Sequence, residues 1–268
     1  LGLKRNLGVK WLADFRDPWT GIDFYNELKL TRWADARHHR LEKEVLQTAD
    51  IVSTVGPTLA KELEAIGEAP VEVIYNGFEP VKPAEVPTDK FVISHIGSLV
   101  PARNPKALWK VLGEMVKEDK SFREKLLIRL VGKVDVSAKE GIEKAGLMDN
   151  LEHIPYVEHE EAVHYQCTST VLLLLINDSP NAKGVLTGKV FEYLASGRPI
   201  LCIGPVDGDA AEVISSAGAG TTIDFDSSEK LKSLFYAEEF QGSPDSKVIE
   251  SFSRKSQTEQ LAKLIERL

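Results

Sequence analysis

A glycine, a lysine and a glutamate stand at positions 188, 189 and 192, inside the stretch Thr187-Gly-Lys-Val-Phe-Glu-Tyr-Leu-Ala-Ser-Gly-Arg-Pro199. A polar loop over residues 177–188 runs into this stretch, and the spacing predicts a helix that starts near Gly188 and ends at Gly197. The first turn of a helix presents free backbone N–H groups and a partial positive charge, which suits an anion. Glycine there lets the backbone approach a phosphate, and lysine adds a point charge. Glu192 lies one turn along on the same face as Lys189, where a carboxylate can accept hydrogen bonds from ribose hydroxyls. Arg103, beyond the apolar run 91–96, is also within reach of such a phosphate. On residue type alone a plainer reading stays open. Gly188 also fits a simple turn, Lys189 and Arg103 fit solvated cations, and Glu192 fits a carboxylate favoured by the helix dipole.

Other chemistry-bearing residues point to less. His38 and His39 are adjacent on a predicted helix, so their side chains diverge by about 100° and do not form a metal pair. The two cysteines, Cys167 and Cys202, make no C-x-x-C motif, which removes support for a zinc or redox centre. Cys202 lies in an apolar run and reads as a small buried hydrophobe. This usage fits a reducing cytoplasm.

The elements that must position these residues follow from the hydrophobic pattern. Strands are expected over residues 9–15, 51–55 and 71–75, with helices over 27–49 and 57–66. A proline-rich stretch, 79–88, reads as a semi-rigid linker. A second series follows, with strands at 91–96, 126–131, 151–154, 171–176, 200–203 and 220–223. Helices are expected between them at 105–117, 136–145, 160–167, 189–196 and 209–217, and a last helical stretch over 246–268. Strands alternating with helices imply an α/β fold with parallel sheets. Ligands of such sheets bind outside the carboxyl ends of the strands. In the second series those ends are Gly97-Ser98, Gly132-Lys133, the loop 177–184 and the loop 204–208.

Bulk composition bounds the partners. The chain has 268 residues, with 43% hydrophobic and 28% charged, enough for a core without disulfides or metals. A net charge of -8, with no long basic run, argues against a nucleic-acid partner. The longest apolar run, 171–176, is far shorter than the roughly 20 residues that span a bilayer. No secretory signal is visible. A pI near 5.4 gives no sign of a strong electrostatic membrane anchor, although peripheral association stays compatible with it. The opening residues, 1–7, read as the tail of a helix in a segment that begins inside a longer protein.

Three stretches carry a family resemblance. Val73-Ile-Tyr-Asn-Gly-Phe-Glu79 resembles the V-I-P-N-G-V-D stretch that closes the first domain of many glycosyltransferases of the GT-B fold. His95-Ile-Gly-Ser-Leu-Val-Pro-Ala-Arg-Asn-Pro105 is similar to the opening of their second domain, and residues 187–201 resemble their donor-binding helix. Order and spacing agree over nearly the whole chain from Val9, and bacterial group 1, family-4-like retaining enzymes look nearest. The resemblance implies a GT-B fold of two Rossmann-like domains. It also implies transfer of a sugar from a nucleoside-diphosphate sugar, of UDP or GDP type, to a polysaccharide or lipid-linked acceptor. It implies neither cofactor nor catalytic metal.

Site roles follow from the same resemblance. Arg103 matches the residue on the donor pyrophosphate, Glu192 the acid on the ribose, and Gly97 the glycine beside the diphosphate. Lys189 shares that pocket, with Gly188 and Gly132 beside it, and Tyr156 and Val157 lie where the base is usually found. The pattern is broken twice. Gly184 stands where an acid often touches the sugar, so that contact falls to Asp178 or the backbone of Val185 and Leu186. Ser98 stands where a second basic residue is expected. Arg16 occupies the place of a cleft histidine, next to Asp17, with a strand-end salt bridge as the alternative reading. The implied domains are 1–78, an incomplete acceptor-side domain; 79–90, a linker; 91–240, the donor domain; and 241–268, a C-terminal helix returning toward the first domain. With so short a first domain, the expectation is nucleotide binding with weak turnover. The rival readings are a non-catalytic nucleotide-binding module and a GT-B sugar-nucleotide epimerase. The epimerase would need a cleft set of carboxylates and histidines that the sequence does not display.

Overall fold

Short apolar runs bounded by glycine, serine and asparagine build two all-parallel sheets in this chain. A computed structural model describes residues 1–22, 25–82, 84–237, 240 and 243–268. The chain divides into two compact units, Leu1–Gly77 with Ser251–Leu268, and Phe78–Glu250.

The first unit begins with α1 (Gly2–Leu7) and β1 (Leu12–Phe15), then α2 (Arg32–Thr48), β2 (Ile51–Thr54), α3 (Pro57–Gly67) and β3 (Val71–Val73). Its three strands pair in the order β1-β2-β3. Leu46, Val52, Leu59 and Leu63 form its core. The helix expected over 27–49 is shorter than its periodicity suggested. A 3-10 turn, Tyr25–Leu28, comes first, and the backbone leaves the helical region at Lys29, with φ 48. Thr31 then caps α2 by accepting a hydrogen bond from the Ala34 N–H at 3.3 Å. Leu28 and Trp33, expected on the buried face, are 48% and 72% exposed. The chain's last segments join this unit. Gln257, buried on α12 (Arg254–Ile265), accepts from the Tyr75 N–H at 2.8 Å and donates to Ser251 O at 2.8 Å.

The second unit runs β4 (Phe91–Ile96), α4 (Lys106–Glu118), α5 (Lys120–Lys125), β5 (Leu126–Val131), α6 (Val136–Ala145) and β6 (Leu151–Ile154). It continues with α7 (His159–Cys167), β7 (Val171–Leu175), α8 (Gly188–Ser196), β8 (Ile200–Ile203), α9 (Asp209–Ser216), β9 (Gly220–Ile223) and α10 (Ser228–Ala237). Two helices, α11 (Ser246–Ser251) and α12, divide the stretch expected as one helix, because Ser253 caps a new start by accepting from the Ser256 N–H. The helices α5 and α10 have no counterpart in the periodicity reading. Residues 79–82 and 84–90 hold no helix or strand, while Pro83 of the expected linker lies outside the described residues. So do residues 241 and 242, where the last expected segment begins.

The sheet order is β6-β5-β4-β7-β8-β9. All five residues of β7 are buried, as a strand covered by helices on both faces requires. The amphipathic α4 buries Leu108, Trp109, Leu112 and Val116 against this sheet. Strand order reverses between β4 and β7, so the crevice beyond their carboxyl ends is the topological switch point. Among the described residues no helix is long and apolar enough to cross a membrane.

Candidate functional site

The switch point is built from the loop after β4, the loop after β7 and the start of α8. Gly97 ends β4 with φ +118, and its N–H donates to Val131 O at 2.7 Å. The Lys189 side chain lies directly over it, so that a Cβ at position 97 would collide with Lys189 Nζ. Gly132 ends β5 with φ +114, and a Cβ there would stand 3.0 Å from the Gly97 backbone. The two glycines therefore let two strand ends and a lysine share one small space.

Arg103 ends a 3-10 turn, Pro101–Arg103, close enough for its charge to act on Lys189. Its Nε donates to Asn177 Oδ1 at 2.6 Å, and the Asp178 N–H donates to Ala102 O at 2.9 Å. These bonds fasten the loop after β4 to the loop after β7. The Arg103 charge acts on Lys189, and neither side chain is salt-bridged to a carboxylate among the described residues. Burial, and then the Arg103 charge, pull the Lys189 pKa down to about 8, against the nearby Glu192.

Beneath this pair, three buried groups brace the site. His95, 1% exposed on β4, places Nδ1 2.9 Å from Leu173 O, with the Ser98 backbone beside the ring. Burial and the Lys189 charge hold its pKa down at about 4, so the ring is neutral. Tyr193 is fully buried on α8, and its hydroxyl accepts from the Ile96 N–H at 3.2 Å. Burial pushes its pKa up. Gln166 on α7 is 1% exposed and donates from Nε2 to Glu192 Oε2 at 3.1 Å.

The helix α8 starts without a side-chain cap. Thr187 Oγ1 is buried and makes no hydrogen bond among the described residues. Space beside Gly188 is open, since a Cβ built there meets nothing within 4 Å. The helix ends at Gly197 in the left-handed conformation, φ 67, as its sequence implies. Hence α8 presents uncapped N–H groups, Lys189 and Glu192 on one side of the crevice.

The remaining expected residues fall around this centre. Ser98 is exposed beside Gly97. Tyr156 and Val157 follow β6, with Tyr156 80% exposed. Asp178 is exposed and, with Arg103, Lys106, Phe225 and Asp226, lines a cavity of about 230 Å³ at the ends of β7 and β8. Gly184 ends a 3-10 turn and Val185 is half-buried, whereas the Leu186 side chain packs in the core and leaves only its backbone for a ligand. Arg16 and Asp17 are exposed in the first unit. Arg16 pairs with Asp14 at 3.2 Å and donates to Ile74 O at 3.3 Å, the salt bridge weighed above. His95, Gln166, Asn177 and Tyr193 carried no role in the sequence reading. Their roles come from contacts across 26 to 97 positions, which no local spacing reveals. Both cysteines are free and buried, and burial pushes the Cys202 thiol up to about 12.

An open parallel sheet in the order β6-β5-β4-β7-β8-β9, with helices between its strands, defines a Rossmann-like unit. Solved structures share the fold. Sucrose-phosphate synthase from Thermosynechococcus elongatus matches with a TM-score of 0.70 at 15% identity, over 99% of this chain and 69% of its own. WaaG, a glycosyltransferase involved in lipopolysaccharide biosynthesis, matches with 0.61 at 14% identity, over 88% of this chain and 70% of its own. The pneumococcal O-GlcNAc transferase GtfA, solved with UDP and GlcNAc, matches with 0.63 at 15% identity, over 86% of this chain and 47% of its own. These are GT-B glycosyltransferases, and the chain has their fold. No protein-family model matches the sequence, and no curated protein matches it by sequence.

Proposed function

We propose that the second unit binds a nucleoside-diphosphate sugar and that the chain serves sugar transfer to a saccharide or lipid-linked acceptor. The carrying observation is Lys189 laid over Gly97 at the strand end, with the Arg103 charge acting on it and no carboxylate salt-bridged to it among the described residues. Diphosphate neutralises such a pair, and the α8 N-terminus adds oriented N–H groups. Glu192 takes the ribose hydroxyls. The exposed Tyr156 and the half-buried Val157, just after β6, offer a surface to the base. Asp178 and the backbone of Val185 are the groups assigned to the sugar.

In the reaction, the bond between the anomeric carbon and the diphosphate oxygen breaks, and its electron pair leaves on that oxygen. The acceptor oxygen bonds to the carbon, and its proton passes to the departing diphosphate oxygen. Negative charge on the diphosphate is greatest as the bond breaks, so Arg103, Lys189 and the α8 N–H groups act most strongly then. Retention of configuration, a polysaccharide product and action in the cytoplasm belong to this proposal through the family resemblance and the two free thiols.

Calorimetry with UDP and GDP tests the reading. Binding of either, weakened at least about tenfold in Arg103→Ala and in Lys189→Ala, is expected from losing one charge-assisted contact. An absence of binding to both nucleotides overturns it. Release of labelled sugar from a bound nucleotide sugar then separates a transferase from a module that only binds.

A further inference from the structure

We infer that Gln166 is the positioning residue for Glu192 and thereby sets discrimination between ribonucleotides and 2′-deoxyribonucleotides. The inference rests on the nucleotide-binding reading and adds a residue of α7 to it. Gln166 is 1% exposed, inside a helix whose other buried residue is Cys167. Leucine or methionine at that place would bury apolar surface without desolvating an amide. The amide instead leaves Oε1 buried with no hydrogen-bond partner among the described residues, a cost that calls for a compensating contact. Its Nε2 supplies that contact, donating to Glu192 Oε2 at 3.1 Å. The carboxylate also fixes the amide's orientation, because the flipped form would set Oε1 against a negative oxygen.

A glutamate side chain has three rotatable bonds, and its recognition of a vicinal diol depends on where both oxygens sit. One N–H on Oε2 removes much of that freedom before a ligand arrives. Carboxylate oxygens accept more than one hydrogen bond each, so Oε1 and the free lone pair of Oε2 remain for two ribose hydroxyls. A ligand without the 2′-hydroxyl offers one fewer donor and gains less from the fixed carboxylate.

The test compares UDP with 2′-deoxy-UDP by calorimetry on the full chain, using GDP and 2′-deoxy-GDP if guanine is the base bound. In the wild type the ribonucleotide is expected to bind about tenfold tighter, the factor one hydrogen bond to a charged group supports. In Gln166→Met, UDP affinity is expected to fall about fivefold while 2′-deoxy-UDP affinity holds, so the ratio collapses. In Glu192→Ala, adding Gln166→Met is expected to change UDP binding no further. A merely structural role lowers both affinities by one factor and adds to Glu192→Ala, which overturns the positioning role while leaving nucleotide binding intact. Wild type that binds no nucleotide overturns both. If Gln166→Met does not fold, Gln166→Asn keeps a buried amide but draws it back from Glu192, and an unchanged ribose ratio there overturns the inference.

Discussion

At the scale of the residue, Lys189 carries the sharpest pH dependence. Its pKa of about 8 reflects burial and the Arg103 charge. The free protein therefore loses this proton as pH rises through about 8, while a bound diphosphate favours the charged form. Nucleotide affinity is expected to fall above pH 8, with uptake of a proton on binding. Calorimetry at pH 8.5 in buffers of different ionisation enthalpy reads that uptake, and Lys189→Arg is expected to abolish it. His95 works in the opposite direction. Its folded pKa of about 4 lies below the unfolded value near 6.5, so the unfolded chain binds more protons between them. Stability is full above about pH 6.5 and falls as pH drops toward 4, with a slope of up to about 1.4 kcal/mol per pH unit. Urea unfolding across that range is expected to show a flatter slope in His95→Gln, and an equal slope counts against the assignment. Arg103, Lys189 and Glu192 were legible in the sequence because charged residues at strand ends and helix starts stand out. His95 was not, because a histidine inside an apolar strand reads as core until its neighbours are known.

At the scale of the element, glycines separate fold from ligand binding. Gly132 adopts φ +114 against the Gly97 backbone, where an added methyl meets peptide atoms that cannot swing aside. Gly132→Ala is expected to cost about 2 kcal/mol or more, read from chemical denaturation. Gly188 opens α8 with free space around it. Gly188→Ala is expected to hold or raise stability by up to roughly 0.5 kcal/mol, because alanine favours helix. It is also expected to weaken UDP binding by crowding the phosphate. Reduced stability with unchanged binding in Gly188→Ala would remove the anion from the α8 N-terminus. The strands β4, β5, β7 and β8 were readable because buried parallel strands are continuous apolar runs. The helix over 27–49 was misjudged because periodicity hides a break that Lys29 and Thr31 impose locally. The helices α5 and α10 are short and amphipathic, and their apolar residues serve a phenylalanine cluster around Phe91 that forms only in three dimensions.

At the scale of the whole molecule, the two units bury unequal cores, and the candidate nucleotide site belongs to one of them. The first unit's core gathers around Leu46, Val52, Leu59 and Leu63, beside a strand β3 of three residues. The second unit's core joins α4 and α6 to both central strands and extends to Phe235 and Phe240. Apolar burial is the main favourable term in folding, so the second unit has the larger reserve against local opening. A ligand held by Gly97, Arg103, Lys189 and Glu192 stabilises only conformations that keep β4, β7 and α8 in place. The gain is about 2.7 kcal/mol at a hundredfold excess over Kd. Hydrogen exchange with saturating UDP is expected to slow amides of β4, β7 and α8 roughly a hundredfold where they exchange by opening that unit. Amides of β1, β2 and β3 are expected to exchange at the same rate with and without UDP. Equal slowing in both sheets would mean that the nucleotide reports on the whole chain, and the assignment of its site to the second unit alone would fall.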